Sequence, residues 1–509
     1  MECPIVKISV RNLVEFILRS GDIDNRIGKM ADKDAMQLGS KIHRKIQRQM
    51  GADYHAEVSL KYQIPYENCI LQIEGRADGI IIDENQVVID EIKGILGELE
   101  RLEEPKEVHL AQAKCYACIY GLQEGLEEIG VQMTYCQMET EEIRRFQYTY
   151  PVQKLAVWFS DIADQYQKWA KFQIDWREKR NASIRTIEFP FVYREGQREL
   201  VRDVYRTILR KKQLFIQAPT GVGKTMATVF PAVKAIGEGL GEKLFYLTAK
   251  TITRTVAENA FQTLKQQGLN MKVITLTAKE KICFCETMEC NPEACPYAKG
   301  HFDRVNDAVF ELLNETGEMT REALERQARK HQVCPFEMSL DVASWVDAVI
   351  CDYNYVFDPT AHLKRFFSEG GSGEYLFLID EAHNLVERAR EMYSAVLYKE
   401  DVLEAKRLAR YEAPKLVKKL DLCNRQLLEM KRECESYQVH QSVSHIYLSA
   451  MNIMAELEKI MENPEKGKLR EDLLDFYFQI RMFVSIYDQM DEHYVIYTEM
   501  EEDGRFKLK

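Results

Sequence analysis

The stretch that decides the fold is "QLFIQAPTGVGKTMATVF", residues 213 to 230 of a 509-residue chain. Its apolar start, Leu214 to Ile216, predicts a short buried strand, and the run after Lys224 predicts a helix. The connecting loop is Ala218, Pro219, Thr220, Gly221, Val222 and Gly223, with Ala218 where the general pattern has glycine. In such a strand, loop and helix, backbone N–H groups surround phosphates. We therefore expect a phosphate-binding loop in which Lys224 reaches the terminal phosphates and Thr225 binds Mg²⁺.

A second stretch, "YLFLIDEAHNL" at 375 to 385, complements this loop. Four apolar residues predict a buried parallel strand, and Asp380 and Glu381 follow at its carboxyl end, where open α/β sheets bind ligands. We expect Asp380 to coordinate Mg²⁺ through water and Glu381 to orient or deprotonate an attacking water. Together, the two stretches predict a parallel α/β sheet that binds a nucleotide.

Composition limits what surrounds this sheet. The length predicts about three or four domains, and the apolar stretches are strand-sized, well short of a membrane span. Lys7 and Arg11 interrupt the first apolar run, which favours a folded start over a signal peptide and predicts a reducing, cytoplasmic location. A net charge of -12 excludes a uniformly basic chain but leaves room for a local basic groove.

Cysteines cluster between the two stretches. The segment "ICFCETMECNPEAC", residues 282 to 295, carries four, and Cys334 follows in "HQVCPFE". A disulfide framework is improbable in a reducing compartment. Structural zinc prefers C-x2-4-C pairs, and the absence of a C-x2-C pair favours an iron–sulfur cluster over zinc, with free thiols as a third alternative.

These motifs, in this order, resemble the DinG/XPD group of superfamily 2 DNA helicases over roughly residues 185 to 509. "YREGQREL" (193 to 200) is similar to the group's adenine-reading element, with Gln197 as the base contact. "LFYLTAKTITR" (244 to 254) is similar to a DNA-contact motif, which implies that Thr248, Lys250 and Thr251 touch the DNA backbone. "AVICDYNYVFDP" (348 to 359) is similar to the segment after the group's cluster domain. His383 would couple nucleotide and DNA sites.

The resemblance also implies a role for the cysteines. In this group an inserted domain holds a 4Fe-4S cluster on four cysteines, which correspond by context to Cys283, Cys290, Cys295 and Cys334, with Cys285 as a substitute for Cys283. The cluster would be structural and would fix a wedge where the duplex is split. The amphipathic helices predicted from about 388 to 490 would form the group's all-α arch.

A separate constellation lies upstream, in residues 1 to about 180. It consists of His43 in "GSKIHRKIQ", Asp78 in "IEGRADGIII", Glu91 and Lys93 in "VVIDEIKG", and Gln112 and Tyr116 in "HLAQAKCYACIYG". The patterns predict two adjacent strands carrying Asp78 and Glu91, and a helix with Gln112 and Tyr116 on one face. Asp90 would point to the opposite side of its strand from Glu91.

This constellation resembles the RecB-type branch of the PD-(D/E)xK nucleases, with Ala77 and Asp78 at the "PD" positions. The resemblance implies that His43, Asp78 and Glu91 hold Mg²⁺ or Mn²⁺, that Lys93 stabilises the charged phosphate, and that Gln112 and Tyr116 contact nucleic acid. A nuclease fold that only binds DNA is the alternative.

The predicted architecture is therefore α/β and multidomain. It comprises a restriction-endonuclease-like nuclease domain (1–180), a RecA-like parallel sheet domain (185–275 and 346–387), an inserted iron–sulfur domain (276–345), an all-α arch (388–492) and a return to the RecA-like domain (493–509). No second motor lobe is recognisable, so we expect a fragment of a longer helicase that binds nucleotide poorly as it stands.

The predicted function is an ATP-dependent DNA helicase, 5' to 3', with a fused metal-dependent nuclease acting on single-stranded and forked DNA in repair. Its cofactors would be ATP, Mg²⁺ and a 4Fe-4S cluster. Two alternatives stay open: a metal-dependent exonuclease regulated by the motor half, and a non-catalytic clamp on single-stranded DNA.

Overall fold

The computed structural model describes residues 3–25, 32–83, 86–95, 99–138, 140–219, 221–249, 251–315, 318–367, 373–461, 463 and 466–509, with the side chains of 32–40, 101, 251–253 and 318 left aside. Of the site predictions, Thr220, Lys250 and the side chain of Thr251 lie outside the described residues. Within the described part, no helix has the length and apolar character needed to cross a bilayer.

The N-terminal region is built on a six-stranded mixed sheet. Its strands run in the order β1-β3-β4-β5-β6, and β2 pairs with β3. The strands are β1 (Ile5–Ser9), β2 (Tyr54–Pro65), β3 (Ile70–Ile82), β4 (Val87–Ile95), β5 (Glu128–Gln137) and β6 (Ile143–Pro151), and the helices are α1 (Val10–Ile17), α2 (Asp32–Gln49) and α3 (Glu107–Glu124). β3 and β4 are antiparallel neighbours, with Gly79 opposite Asp90. The prediction of two adjacent strands is confirmed.

Helix α4 (Val152–Thr186) runs from this region into the next one. Its first half places Phe159 and Trp169 in the N-terminal core, and Ile184 near its end packs with the central sheet. The predicted domain boundary near residue 180 therefore falls inside one continuous 35-residue helix. The connection between the two sheets is a helix and not a loop.

The central sheet has five parallel strands in the order β11-β7-β10-β8-β9. Its strands are β7 (Lys243–Leu247), β8 (Val273–Thr275), β9 (Glu318–Met319), β10 (Ala348–Cys351) and β11 (Tyr375–Ile379). The surrounding helices are α5 (Gln197–Leu209), α6 (Lys224–Gly237), α7 (Thr251–Gln266), α12 (Asn354–Phe357), α13 (Lys364–Phe367) and α14 (Asn384–Met392). The predicted parallel α/β sheet is confirmed.

The cysteine-rich insertion, residues 276–345, follows β8, contributes the edge strand β9 to the central sheet and ends before β10. It contains α8 (Lys279–Ile282), α9 (His301–Glu315), α10 (Arg321–His331) and α11 (Pro335–Trp345). It also shares one core with the N-terminal region, since the ring of Trp169 lies 4.4 Å from that of Trp345 and 5.0 Å from that of Phe310. The insertion is therefore packed against the N-terminal region as well as against the central sheet.

Two predictions about the central sheet are wrong in detail. Leu214 to Ile216 form no strand, and Phe215 is 89% exposed. Strand β11 is parallel as predicted, yet Phe377 and Ile379 stay partly exposed because β7 is its only strand neighbour in the described sheet. Residues 214–216 pair with no strand in the described part of the chain, so these three apolar residues lack the partner that a strand needs.

The C-terminal region, residues 397–509, also differs from prediction. Its helices are α15 (Lys399–Ala409), α16 (Pro414–Glu433), α17 (Ser444–Met461) and α18 (Gly467–Asp488). An antiparallel sheet in the order β12-β15-β14-β13 accompanies them, formed by β12 (Leu397–Tyr398), β13 (Tyr437–His440), β14 (Ile496–Met500) and β15 (Phe506–Leu508). The region is thus not all-α, and 493–509 does not return to the RecA-like sheet, because Phe506 and Leu508 are buried against the helices.

Candidate functional sites

The phosphate-binding loop is fixed by glycines and by Gln197. Gly221 and Gly223 have φ values of 85° and 78°, a left-handed conformation that glycine adopts without strain. The Gln197 side-chain Nε2 donates to the carbonyl of Val222 at 3.0 Å. A Cβ on Gly223 would lie 2.6 Å from that nitrogen, so only glycine fits without displacing Gln197. The loop conformation thus depends on both residue types.

Gln197 uses both ends of its amide within the protein. Its Oε1 accepts a hydrogen bond from the backbone N–H of Arg194 at 3.1 Å, and its side chain is buried. A contact with an adenine base would have to be made in addition to these bonds, from the remaining lone pair of Oε1 or by rearrangement of the amide. The described geometry makes Gln197 a residue that positions the loop.

Lys224 and Asp380 lie in one site. Lys224 Nζ donates to the carbonyl of Ala218 at 3.1 Å, so its ammonium group lies over the loop. The hydroxyl of Tyr246, at the end of β7, is hydrogen-bonded to both Thr225 and Asp380. Burial and the charge of Glu381 raise the pKa of Asp380, while Tyr246 and Lys224 oppose that rise. One tyrosine therefore joins the two motifs that the sequence places 155 residues apart, counted from 225 to 380.

The turn after β11 holds Glu381 in an uncommon conformation. Its φ is 50°, in the left-handed region that costs a non-glycine residue about 1 to 2 kcal/mol. The Tyr353 hydroxyl donates to the carbonyls of Asp380 and Glu381 and holds this turn. His383 Nδ1 lies 3.5 Å from Glu381 Oε2, and the His383 side chain is 74% exposed. His383 is thus available to a ligand outside the protein.

Thr248 sits at the carboxyl end of β7, and only 1% of it is exposed. Its backbone N–H donates to the carbonyl of Cys351 at 3.0 Å, which ties β7 to β10. This burial contradicts the prediction that the Thr248 side chain touches the DNA backbone, because no surface is accessible to a phosphate.

The five thiols of the insertion lie around α8. Cys283 follows this helix directly, and Cys334 directly precedes α11. Cys285 Sγ lies 3.6 Å from Cys295 Sγ, and Cys285 also interacts with Cys283. Cys290 accepts a hydrogen bond from the Lys279 side chain. Burial lowers the pKa of Lys279, but Cys290 and Cys334 together help to raise it above its usual value. Both ends of the insertion therefore bring sulfur atoms to one region.

The chemistry of these donors fits an iron–sulfur cluster, since thiolates are its ligands. The side chains are not arranged as ligands: among the described residues, no three His, Cys, Asp or Glu side chains form a ready site for a metal ion. Cys285, and not Cys283, makes the close contact with Cys295. Both cysteines thus remain candidates for the first ligand position.

The N-terminal constellation is brought together on β3, β4, α2 and α3. Asp78 Oδ1 lies 3.3 Å from His43 Nδ1, and Asp78 Oδ2 accepts the backbone N–H of Ile92 at 2.8 Å. Lys93 Nζ donates to Glu91 Oε1 at 2.8 Å and to Gln112 Oε1 at 3.1 Å. The six residues named from the sequence therefore form one connected group, with Tyr116 hydrogen-bonded to Gln112.

Glu91 has a distinctive environment in this group. Burial, and then the charge of Asp78, raise the pKa of Glu91 to about 7, although Lys93 opposes the shift. Its Oε2 is buried without a hydrogen-bond partner in the described structure. A buried carboxylate oxygen without a partner is energetically costly. This orphaned oxygen, beside a second carboxylate and an imidazole, fits a divalent cation in chemical type.

Asp90 belongs to a different environment. Thr134 Oγ1 and Gln132 Nε2 donate to Asp90 Oδ1 at 2.6 and 3.0 Å, and the Tyr54 hydroxyl donates to its Oδ2 at 3.2 Å. None of these partners contacts Glu91. The sequence-based choice of Glu91 over Asp90 for the site agrees with this separation of the two carboxyl groups.

Sequence reasoning missed Tyr246 and Tyr353. Tyr246 lies inside a quoted motif, one residue before the end of its strand, and Tyr353 follows β10 in another. Their roles depend on β7 and β10 being neighbours in the sheet, which the local sequence does not specify. An aromatic hydroxyl at the carboxyl edge of a buried strand was the available signal, since buried tyrosine hydroxyls seek a partner.

Comparisons with known proteins find similarities in the central region. The DEAD_2 family model matches residues 247–402, and the DEAD/DEAH box helicase model matches residues 196–287. The chain is 20% identical over 312 residues to regulator of telomere elongation helicase 1 from Bos taurus, covering 51% of this chain and 24% of that protein. It is 23% identical over 299 residues to a probable ATP-dependent helicase from Methanocaldococcus jannaschii, covering 58% of this chain and 44% of that protein.

Solved structures give a weaker likeness. A structure titled XPD helicase matches with a TM-score of 0.40 and 18% identity, covering 62% of this chain and 54% of that chain. The alignment spans about a quarter of the length of the telomere elongation helicase relatives. The two family models together cover residues 196–402, and this part of the chain, which includes the loop and Asp380, is similar to helicase domains of the DEAD/DEAH type.

Proposed function

We propose that this chain is part of an ATP-dependent DNA helicase of the DinG/XPD type that carries a metal-dependent nuclease in its N-terminal region. It would move 5' to 3' and act on single-stranded and forked DNA in repair. The helicase assignment rests on one observation: the two motifs meet at the Tyr246 hydroxyl. This hydroxyl hydrogen-bonds to Thr225 after the phosphate loop and to Asp380 at the acidic strand end.

The helicase residues have distinct roles in this proposal. The backbone N–H groups of 221–223 and the N-terminus of α6 bind the phosphates of ATP. Lys224 exchanges its bond to the Ala218 carbonyl for the terminal phosphates. Thr225 and Asp380 hold Mg²⁺, which supplies charge neutralisation on the phosphates when bound. Glu381 orients the attacking water, and the exposed His383 beside it communicates with the DNA.

The nuclease assignment rests on the orphaned Oε2 of Glu91. Together with Asp78 and His43, Glu91 would hold Mg²⁺ or Mn²⁺, and such a cation activates water for phosphodiester cleavage. Lys93 stabilises the developing charge on the phosphate, and Gln112 keeps the Lys93 ammonium in place. Tyr116, on the same helix face as Gln112, lies beside the substrate strand.

The insertion would carry a structural 4Fe-4S cluster on Cys290, Cys295, Cys334 and either Cys283 or Cys285. The support is the convergence of these thiols from both ends of the insertion. Comparing the iron content and visible absorbance of Cys283→Ser and Cys285→Ser proteins identifies the first ligand. A purified protein without iron and without visible absorbance would contradict the cluster.

The test uses the complete gene product and two variants. Lys224→Ala should abolish DNA-stimulated ATP hydrolysis and unwinding but leave metal-dependent cleavage of single-stranded DNA, and Lys93→Ala should do the reverse. If Lys93→Ala loses all DNA processing and Lys224→Ala loses none of it, an exonuclease that the motor only regulates would be favoured. Tight binding of single-stranded DNA without hydrolysis of ATP or DNA would favour a clamp.

A further inference from the structure

A large cavity in the described structure lies where the four parts of the chain meet. Its volume is about 2760 Å³. It is lined by β1 and α1 of the N-terminal region, α8 and α11 of the insertion, α12 and α13 of the central region, and α18 of the C-terminal region. Pockets for small molecules measure roughly 300 to 1,000 Å³. This cavity is therefore large enough for a polymer.

Basic side chains enter the cavity from all four parts. They are Lys7, Arg11, Arg19, Arg254, Lys279, Lys281, Lys364, Arg365 and Arg481. Carboxylates line the cavity as well, and Asp341 pairs with both Arg19 and Arg365. The acidic lining residues are Glu15, Glu74, Glu242, Glu280, Asp341, Asp352 and Asp358. Lys7, Lys281 and Arg481 have no ion pair in the part of the chain that the structure describes. Cationic groups without carboxylate partners favour a polyanion in the cavity.

Aromatic side chains accompany these charges. Phe478 of α18 is 51% exposed and Tyr393 is 38% exposed, and both line the cavity. Exposed aromatic rings in a basic groove are the usual platform for unpaired bases, because each base has a face that stacks. A duplex keeps its bases stacked on each other, so the combination indicates a single strand.

The N-terminal wall of the cavity leads toward the carboxylate site. Ser9 is paired with Glu74 in the β1–β3 register, and both line the cavity. Glu74 and Asp78 lie on the same face of β3, four residues or about 13 Å apart. Burial, and then the charges of Lys93, Lys106 and Arg11, lower the pKa of His109 to about 3. Arg11 of the cavity wall and Lys93 of the carboxylate site thus both lie close enough to His109 to act on it, which places the wall near that site.

We propose that Lys7 and Arg11 form a phosphate-binding wall that guides single-stranded DNA from this cavity to the site of Asp78, Glu91 and Lys93. The inference rests on the proposed function, because it supplies the route between the motor and the nuclease. Arg11 is free to take this role: its ion pair with Glu15 is exposed on both sides, and such pairs contribute little to stability.

The experiment measures the salt dependence of DNA binding. The probe is a fluorescein-labelled oligodeoxythymidine of about 30 nucleotides, since one single-strand binding module covers roughly 4 to 16. Anisotropy titrations of the complete protein are compared with the Lys7→Ala/Arg11→Ala variant. The matched control is Lys61→Ala/Lys154→Ala, which removes the same charge from exposed positions of the N-terminal region outside the cavity.

Each phosphate contact contributes about 0.7 to the slope of log Kd against log salt for single strands. We expect the Lys7/Arg11 variant to lower this slope by about 1.4, and the control to leave it nearly unchanged. The charge-conserving Lys7→Arg/Arg11→Lys protein should retain the slope, which separates charge from folding.

Three outcomes would overturn the inference: an unchanged slope in a normally folded Lys7/Arg11 variant, an equal decrease in the control, or preferential binding of single-stranded RNA of matching length. A wild-type protein that binds no single-stranded DNA would instead refute the proposed function itself. The two failures are therefore distinguishable.

Discussion

Gln197 connects the segment before the phosphate loop to the loop itself. Its Nε2 donates to Val222 and its Oε1 accepts from Arg194. Gln197→Ala should remove both bonds and weaken nucleotide binding by about 1 kcal/mol, or roughly fivefold. Because the amide positions the loop, we expect an equal loss for ATP and GTP, measured with fluorescent analogues.

The exposed Gln153 on α4 provides a control, since its replacement by alanine touches no loop. A Gln197→Ala protein that loses affinity for ATP but not for GTP would favour the base contact implied by the family resemblance.

Lys243 at the start of β7 is buried, and its ammonium group donates to the carbonyls of Ala343 and Val346. Burial lowers its pKa from 10.5 to about 8. The folded protein therefore releases this proton more readily than the unfolded chain does. The free energy of unfolding should rise between about pH 8 and pH 10.5, by up to about 3 kcal/mol from this residue.

Lys243→Met removes the titrating group, so the difference in stability between wild type and variant should change over this pH window. Chemical denaturation at several pH values measures that difference. A constant difference across the window would mean that the Lys243 ammonium is not desolvated as described.

At the scale of residues, the sequence predicted which side chains come together better than what each one touches. His43, Asp78, Glu91 and Lys93 meet because strand alternation and helix periodicity fix their faces. Thr248 was misjudged, because its burial depends on β10 lying beside β7. Contacts set by non-local strand order are not encoded in a local motif.

At the scale of elements, Asp347 makes two of the polar contacts that hold α4 against the central region. Asp347 Oδ1 accepts from Arg180 Nη1 and its Oδ2 accepts from Trp176 Nε1, both at 2.9 Å. Asp347→Ala leaves the buried Arg180 guanidinium without a carboxylate partner, which should cost about 3 to 5 kcal/mol of stability. Urea unfolding of wild type and variant measures the loss.

The exposed pair of Lys168 and Asp307 offers a comparison, since its side chains are largely in water. Asp307→Ala should cost about 1 kcal/mol or less. Equal losses in the two variants would contradict a structural role for the buried pair.

The elements that were predicted well are those with a long, regular pattern. The helices of the C-terminal region follow their amphipathic periodicity, and β3 and β4 follow their alternation. Leu214 to Ile216 were predicted as a strand from three apolar residues. A strand also needs a neighbouring strand to pair with, and three residues of sequence do not specify one. The short strands β12 to β15 were missed for a related reason, because two to five residues carry little pattern.

At the scale of the whole molecule, the N-terminal region is bound to the cysteine-rich insertion. The backbone N–H groups of Ile23 and Asn25 donate to the carbonyls of Ala298 and Cys290 at 3.0 and 2.8 Å. The Asp303 side chain accepts from the N–H of Gly21 at 2.8 Å. The segment 16–25 therefore follows the conformation of the cysteine loop.

If these thiols hold the cluster that we propose, their loss should loosen this contact. In a Cys290→Ser/Cys295→Ser protein, or after iron is removed by a chelator, we expect faster amide hydrogen exchange in residues 16–25. Exchange in α17 and α18 should stay unchanged, because these helices have their own core. Unchanged protection of 16–25 would mean that the cysteine loop keeps its shape without metal.

The order of the regions along the chain was predictable from their motifs, but their mutual packing was not. Nothing in the motifs places Trp169 against Trp345, since the two belong to regions that the sequence treats as separate domains. Such interfaces depend on scattered apolar residues whose partners lie far away in the chain.

Helix α4 has one more consequence, which concerns the spacing of its residues. A 35-residue helix is about 52 Å long and turns about 100° per residue. Inserting one residue near its middle would swing the upstream sheet by that angle around the helix axis, whereas seven added residues would return it to within about 20°. Related proteins should therefore vary the length of this helix in steps of seven residues rather than singly. Seven residues make nearly two full turns, so the two sheets keep almost the same orientation around the helix axis.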